Sequence, residues 1–332
     1  MFNSDSAIVR KVAITGGTGF VGRHVAERLA GRAVVLSRRT GASIDDVDAL
    51  TRAFHHCDVV VHCAGINREL GDQTFERVHV RGTAAVVEAA RRAGAKKIVM
   101  LSFLRARPSC GSAYHESKWQ AEQIIRTSGL DYTILKAGMI YGRGDHMVDH
   151  LSRMARTLPI AATVGMRERT IRPVPIAELV DVVEASIADR LSRSTVAVTG
   201  GETLLLSDAV RRVARVVDRR VLVIPAPVAF HHVLAQVCEW AMTVPLVAKA
   251  QVRMLAEGVS DSAGPAAELP ADLRPRLPFD EAQIRAALPD AGRFGREDLR
   301  ACAARPSARP RRISWTSSTG VSPGRAHAGA SS

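Results

Sequence analysis

Along the first hundred residues, short apolar runs alternate with stretches whose apolar positions recur at helical spacing. That alternation predicts strand-helix-strand units around a parallel sheet. Lys11 to Ile14 reads as the first strand and Thr15 to Gly22 as a glycine-rich turn. Val21, Val25 and Leu29 then stand four residues apart, with Arg23 and Glu27 between them, so the next helix has one apolar and one polar face. Ala33 to Leu36 is the second strand. Asp46 to Phe54 already reads as a helix, so a third strand has room only as a vestige around Ala42 to Ile44. Asp58 to Cys63 reads as the fourth strand, Gly82 to Ala93 as a helix stopped by Gly94, and Lys97 to Leu101 as the fifth strand. Ser112 to Ser128 is a helix ending at Gly129, and Tyr132 to Leu135 the sixth strand.

Beyond Gly144 the pattern loosens. Helices are expected near Val148 to Arg156, Ile176 to Asp189 and Ser207 to Val217, with a strand near Thr195 to Val198. Val228 to Glu257 is helical in pattern with an interruption at Pro245, and Ala263 to Pro278 is proline-rich and irregular. Within it Phe230, Val233, Leu234, Val237, Trp240 and Ala241 recur at helical spacing, for which core packing is expected rather than a substrate lid or a membrane-surface helix. The opposite face carries only His231, Gln236 and Glu239, too little positive charge to attract anionic lipid strongly.

Gly16, Gly19 and Gly22 fall between the first strand and its helix in a GxxGxxG spacing. In that context the glycines serve a tight turn, close approach of the backbone to a pyrophosphate, and close packing of helix on strand. The helix N-terminus adds free N–H groups and roughly half a positive charge. The fold class expected is therefore α/β: a Rossmann-type doubly wound parallel sheet over residues 1–145, whose strand-helix core continues into the later chain. A smaller α/β lobe follows over 146–300, and a basic tail over 301–332 is expected to be disordered. The end of the second strand, where NAD enzymes place an acid for the ribose 2′-OH, carries Ser37, Arg38 and Arg39. Guanidinium groups there suit a 2′-phosphate, which favours NADP(H) over NAD(H), unless both arginines face water.

Composition narrows the partners. The 332 residues are 46% hydrophobic, enough for one large core and a smaller lobe. No apolar leader follows Met1 and no run of about eighteen apolar residues occurs, so neither secretion nor a transmembrane span is expected and a cytoplasmic address is the default. The net charge of +13 raises a nucleic-acid reading. However, Arg305, Arg309, Arg311, Arg312 and Arg325 stand in the tail without an acid, and the other cations are interspersed with Asp and Glu, so no nucleic-acid partner is expected. Cys57, Cys63, Cys110, Cys238 and Cys302 form no CxxC pair and read as reduced thiols. His146 and His150 have a metal-like spacing but lack the Glu of a metalloprotease motif, and no metal site is expected.

Tyr114 and Lys118 lie four apart on one face of the helix after the fifth strand, where an ammonium can depress a phenol's pKa toward catalytic use. With the turn Thr15-Gly16-Gly17-Thr18-Gly19-Phe20-Val21-Gly22, the strand end Val61-His62-Cys63-Ala64-Gly65 and the helix start Val80-Arg81-Gly82-Thr83, this pair resembles the extended and atypical short-chain dehydrogenase/reductases. Tyr141-Gly142-Arg143-Gly144, Arg172-Pro173-Val174 and Val198-Thr199-Gly200-Gly201 resemble later landmarks of that family. Within that family the chain resembles the branch of the nucleotide-binding accessory subunit of mitochondrial complex I and the NAD-dependent epimerase/dehydratase proteins of bacteria.

The resemblance implies that Gly16, Thr18, Gly19, Phe20, Val21, Gly22, Arg38, Arg39, Cys63, Ala64, Gly65 and Lys118 bind the dinucleotide. It makes Tyr114 the general acid-base, has Lys118 hold the nicotinamide ribose, and expects a serine or threonine hydroxyl at the end of the fifth strand. That position aligns with Phe103, leaving Ser102 one residue early as the candidate third catalytic residue, on a strand whose neighbours alternate in direction. The family's NVxGT asparagine is His79 here, and its Arg-Pro after the sixth strand is Lys136-Ala137. Two functions follow: an oxidoreductase acting on a small-molecule carbonyl or hydroxyl substrate that the sequence does not name, or a redox-silent NAD(P)H-binding protein serving a protein partner.

Overall fold

Six parallel strands form the central sheet of the computed structural model, which describes residues 10–242, 249–290 and 292–294. The chain enters through β1 (Val12–Thr15), turns into α1 (Phe20–Leu29), and continues through β2 (Ala33–Leu36), α2 (Val47–Phe54), β3 (Val59–His62) and α3 (Gly82–Ala93). There follow β4 (Lys97–Phe103), α4 (Ala113–Arg126), β5 (Asp131–Ala137), β6 (Ile140–Tyr141), α5 (Met147–Thr157), β7 (Ile160–Val164), β8 (Thr170–Ile171) and β9 (Val174–Pro175). The remainder is α6 (Ile176–Ile187), β10 (Ser194–Val198), β11 (Leu204–Leu205), α7 (Leu206–Val216), β12 (Leu222–Ala226), α8 (Val228–Ala241), α9 (Lys249–Glu257) and α10 (Glu281–Ala287).

The sheet order is β10-β5-β4-β3-β1-β2, with every pairing parallel. Helices cover both faces, because strands buried on both sides offer apolar residues in both directions. Val12, Ile14, Val59, Val61 and Val99 join the α1 and α6 side chains on one face, while Ala13, Val60, Ile98 and Met100 join α2, α3 and α4 on the other. β10 returns from the later chain to pair with β5, Val196 opposite Leu135, so the first 145 residues do not close the sheet alone. A second core of Tyr141, Val148, Leu151, Ile171, Val210 and Phe279 holds the smaller lobe.

Three differences from the sequence expectation have local causes. No third strand forms around Ala42 to Ile44. Ser37 there caps a short 3-10 turn, Ala42 N–H returns to Ser37 O at 3.1 Å, and the Asp46 carboxylate caps α2 through Ala49 N–H at 2.9 Å, which leaves no extended residues for a ladder. β4 runs two residues past Leu101, pairing Ser102 with Lys136 and Phe103 with Ala137. The apolar stripe of α8 is not core: Phe230, Val233, Val237 and Trp240 are exposed, and the helix instead packs its small face, Ala235 and Cys238, together with His231, against the protein. Among the described residues no helix is long and apolar enough to cross a membrane. Residues 301–332, and Pro245 between α8 and α9, lie outside the described residues.

Candidate functional site

β1 ends and α1 begins around a turn that only glycine can make. Gly16 has φ +70°, and a Cβ on it would fall 2.6 Å from Ala64 N; one on Gly22 would fall 2.4 Å from Gly16 O. Gly19 sits at the N-cap of α1 with no side-chain cap, so the N–H groups of the first helical turn keep no internal partner. These are the cradle and the donors that a diphosphate requires.

The turn floors a cleft of about 540 Å³ lined by Gly16, Thr18, Gly19, Arg38, Arg39, Cys63, Ala64 and Gly65 among others. Eight of the twelve residues expected at the dinucleotide are thereby brought together. Phe20 and Val21 pack toward the core instead, and with Gly22 can contribute only backbone. At the end of β2 the Ser37 hydroxyl is used as a cap, accepting from Arg39 N at 3.1 Å and Thr40 N at 3.3 Å. Arg38 and Arg39 are exposed at the cleft, and among the described residues neither makes an ion pair. The acid that does reach this rim, Asp45, is held by Ser43 and by Arg77 Nε at 2.9 Å, and both contacts lower its pKa. The residues present therefore fit an anionic dinucleotide.

Lys118 joins this half of the cleft to the other. Its buried Nζ donates to Leu101 O at 3.3 Å, and a Cβ on Gly65 would come within 3.1 Å of it. Burial pulls its pKa down to about 8. Tyr114, one turn earlier on α4, is enclosed by rings, with Phe103 at 5.3 Å, Phe75 at 5.5 Å and His79 at 5.7 Å between centroids. Among the described residues its Oη has no hydrogen-bond partner, and burial pushes the phenol's pKa up. The expectation that the neighbouring ammonium depresses the phenol is thus corrected: desolvation in an aromatic box dominates.

Two histidines the sequence reading did not place at the site lock this region. Ile66 N–H donates to His79 Nε2 at 3.1 Å, so the proton sits on Nδ1 and goes to Ser117 Oγ at 2.9 Å, whose hydroxyl donates to Tyr114 O at 3.0 Å. The Thr83 hydroxyl donates to His79 O, leaving Thr83 Oγ1 to accept from His62 Nε2 at 3.0 Å; His62 Nδ1 then accepts from Thr15 Oγ1 at 2.7 Å. Burial holds both rings neutral, His62 at about 3 and His79 at about 2. The chain of bonds ties β1, β3, α3 and α4 to the glycine turn. One signal was legible: His62 ends an all-apolar strand, where a polar residue needs a partner.

Ser102 is not at Tyr114. Its hydroxyl donates to the buried Glu122 at 2.5 Å, and Glu122 also accepts from Arg126 at 2.9 Å and faces Lys136 Nζ at 3.7 Å. This cluster borders a separate cavity of about 610 Å³, lined by Glu122, Arg126 and Lys136. Strand alternation decides it: Phe103 points at Tyr114, so Ser102 points away.

Residues 16–150 match a protein-family model described as NAD(P)H-binding. The chain is similar to the ceramide reductase of Caulobacter vibrioides, 34% identical over 176 residues, which is 48% of this chain and 55% of that protein. It is also similar to subunit 9 of the mouse mitochondrial NADH dehydrogenase 1 alpha subcomplex, 25% identical over 238 residues, covering 64% of this chain and 63% of the relative. The chain therefore spans between about half and two thirds of these relatives' lengths. Among solved structures, a dTDP-4-dehydrorhamnose reductase of Bacillus anthracis in complex with NADP shares the fold, with a TM-score of 0.57 at 20% identity over 66% of this chain and 84% of that one. With the glycine cradle and the all-parallel sheet, these matches show that residues 16–150 form an NAD(P)H-binding domain and that the chain shares its fold with a solved NADP-bound reductase.

Proposed function

We propose that this chain is an NADP(H)-dependent oxidoreductase that moves hydride between the cofactor and a carbonyl or hydroxyl carbon. The observation that carries the reading is the placement of Tyr114 and Lys118 on one face of α4, with Lys118 Nζ reaching Gly65 in the nucleotide cleft. Arg38 and Arg39 hold the 2′-phosphate, the N-terminus of α1 holds the diphosphate, and Lys118 holds the nicotinamide ribose. A bound nicotinamide supplies the hydride. Tyr114, kept protonated by its burial, gives its Oη proton to the substrate oxygen as the carbonyl becomes an alcohol. Phe75, Phe103 and Met254, packed around Tyr114, exclude water and favour a substrate with apolar groups beside its carbonyl. The similarity to a ceramide reductase supports reduction as the direction.

A second reading keeps NADP(H) as a structural or sensing ligand beside a protein partner. It is favoured by Phe103 filling the place of the expected hydroxyl, and by the relatives that are subunits of NADH dehydrogenase. NADPH oxidation measured against a panel of aldehydes, ketones and quinones separates the two. On the first reading Tyr114→Phe lowers turnover about a hundredfold or more while NADPH affinity stays within a few-fold. If no panel compound is reduced and Tyr114→Phe changes nothing measurable, the second reading stands.

A further inference from the structure

We infer that the cavity beside Glu122 is a second small-molecule site, separate from the nucleotide cleft, which takes a carboxylate carried on an apolar body. Its walls are fixed. The segment 263–267 spans from Leu104 O, which accepts from Ala263 N–H at 3.1 Å, to Thr195 O, which accepts from Ala267 N–H at 2.8 Å. Across from it stands the C-terminal half of α4, whose Trp119, Glu122, Gln123 and Arg126 share one helix face and line the cavity. Lys136 on β5 donates from Nζ to Ala106 O at 2.9 Å and to Ala263 O at 3.0 Å, and so ties the loop after β4 to that segment. The space between these walls, about 610 Å³, is that of a small-molecule pocket. None of its lining residues lines the nucleotide cleft.

Charge and polarity select the occupant. The Lys136 and Glu122 side chains, 2% and 1% exposed, face each other at 3.7 Å, and Arg126 reaches the same carboxylate at 2.9 Å. Ser102 donates to Glu122 as well, so two cations share one acid that is already engaged. Arg107 adds a third cation to the lining, and its partner Glu257 is divided among Arg105, Arg107 and Arg253. Positive charge in excess at buried positions is costly unless an anion balances it. A donor is available for one: two of the three Lys136 N–H groups go to carbonyls, and the third has only the Glu122 oxygen at 3.7 Å, beyond hydrogen-bond range. Burial, with Arg126 nearby, pulls the Lys136 ammonium below its usual range, and a carboxylate beside it would reverse that. The rest of the wall is apolar, from Ala106, Pro108, Trp119, Pro265 and Ala266. An inorganic anion would leave that wall unfilled and a neutral apolar molecule would leave the charge unbalanced, whereas an apolar carboxylate satisfies both.

Calorimetric titration of the full chain with decanoate, n-decanol and inorganic phosphate tests this. Decanoate is expected to bind one to one and to change the tryptophan emission, with decanol and phosphate each weaker by roughly tenfold or more. Lys136→Met removes the excess charge and leaves Glu122 paired with Arg126, and should lower decanoate affinity roughly tenfold or more. Ala266→Phe fills the cavity from the 263–267 segment without touching a charge and should do the same, so the result does not depend on the lysine variant folding. Trp119→Phe should remove the emission change. Four outcomes would overturn the inference. Decanoate may fail to bind; decanol may bind as tightly, which makes the cavity merely apolar; or phosphate may bind as tightly, which makes it an inorganic-anion site. Binding that survives both Lys136→Met and Ala266→Phe would put decanoate elsewhere on the chain.

Discussion

Around the glycine turn the chain offers the cleft backbone amides and the exposed Arg38 and Arg39, whereas around Tyr114 it offers packed rings and neutral imidazoles. The first region is open and waits for negative charge. The second is dry, and burial there favours the neutral form of each group: Tyr114 is raised, and Lys118, His62 and His79 are lowered. The two regions differ in dielectric environment, and Lys118 borders both.

The strongest break of the nucleotide half is Gly19→Asp. Gly19 has ordinary backbone angles and a Cβ there would meet only Gly16 O at 3.1 Å, so the variant should fold. Its carboxylate would enter the diphosphate cradle, and NADPH binding followed by fluorescence should be abolished. Normal binding would remove the cradle assignment.

Acid should break the other half first. His62, His79 and His115 have folded pKa values lowered by burial to about 3, 2 and 4. In the unfolded chain each titrates near 6.5, so at lower pH the unfolded state binds more protons and stability is lost as pH falls below that value. The unfolding midpoint in urea, compared between about pH 7.5 and about pH 5.5, should report a loss on the order of 1 kcal/mol per histidine. A flat profile over that window would mean the rings are solvated.

Lys118→Ala should injure both halves: NADPH affinity and turnover each fall by roughly tenfold or more, whereas Tyr114→Phe touches turnover alone. Because Lys118 in the free protein titrates at about 8, wild-type NADPH affinity should weaken as pH rises through that value. Titrations over pH on wild type and variant would show the dependence vanish with the lysine. The smallest effect sharpens cofactor choice. Arg38→Ala/Arg39→Ala should weaken NADPH about tenfold, one charge-assisted contact, and leave NADH unchanged. Equal affinities of the wild type for both cofactors would put the arginines in solvent.

Legibility followed the range of the forces involved. The strands and helices of the sheet were readable because Val21, Val25 and Leu29 bury as their spacing says, and the glycine turn because backbone sterics are local. The same periodicity misled at α8, where Phe230, Val233, Val237 and Trp240 have helical spacing yet face outward. Periodicity says that a helix has an apolar face, and not what covers it.

The sequence by itself therefore determined the parallel sheet, the cradle and the pairing of Tyr114 with Lys118, since each depends on residues close along the chain. Tertiary structure alone decided that Ser102 serves Glu122 across β4, that burial overrides Lys118 in setting the Tyr114 phenol, and that His62 and His79 lock the cleft. Those outcomes depend on desolvation and on partners tens of residues away, and neither has a signature in local spacing.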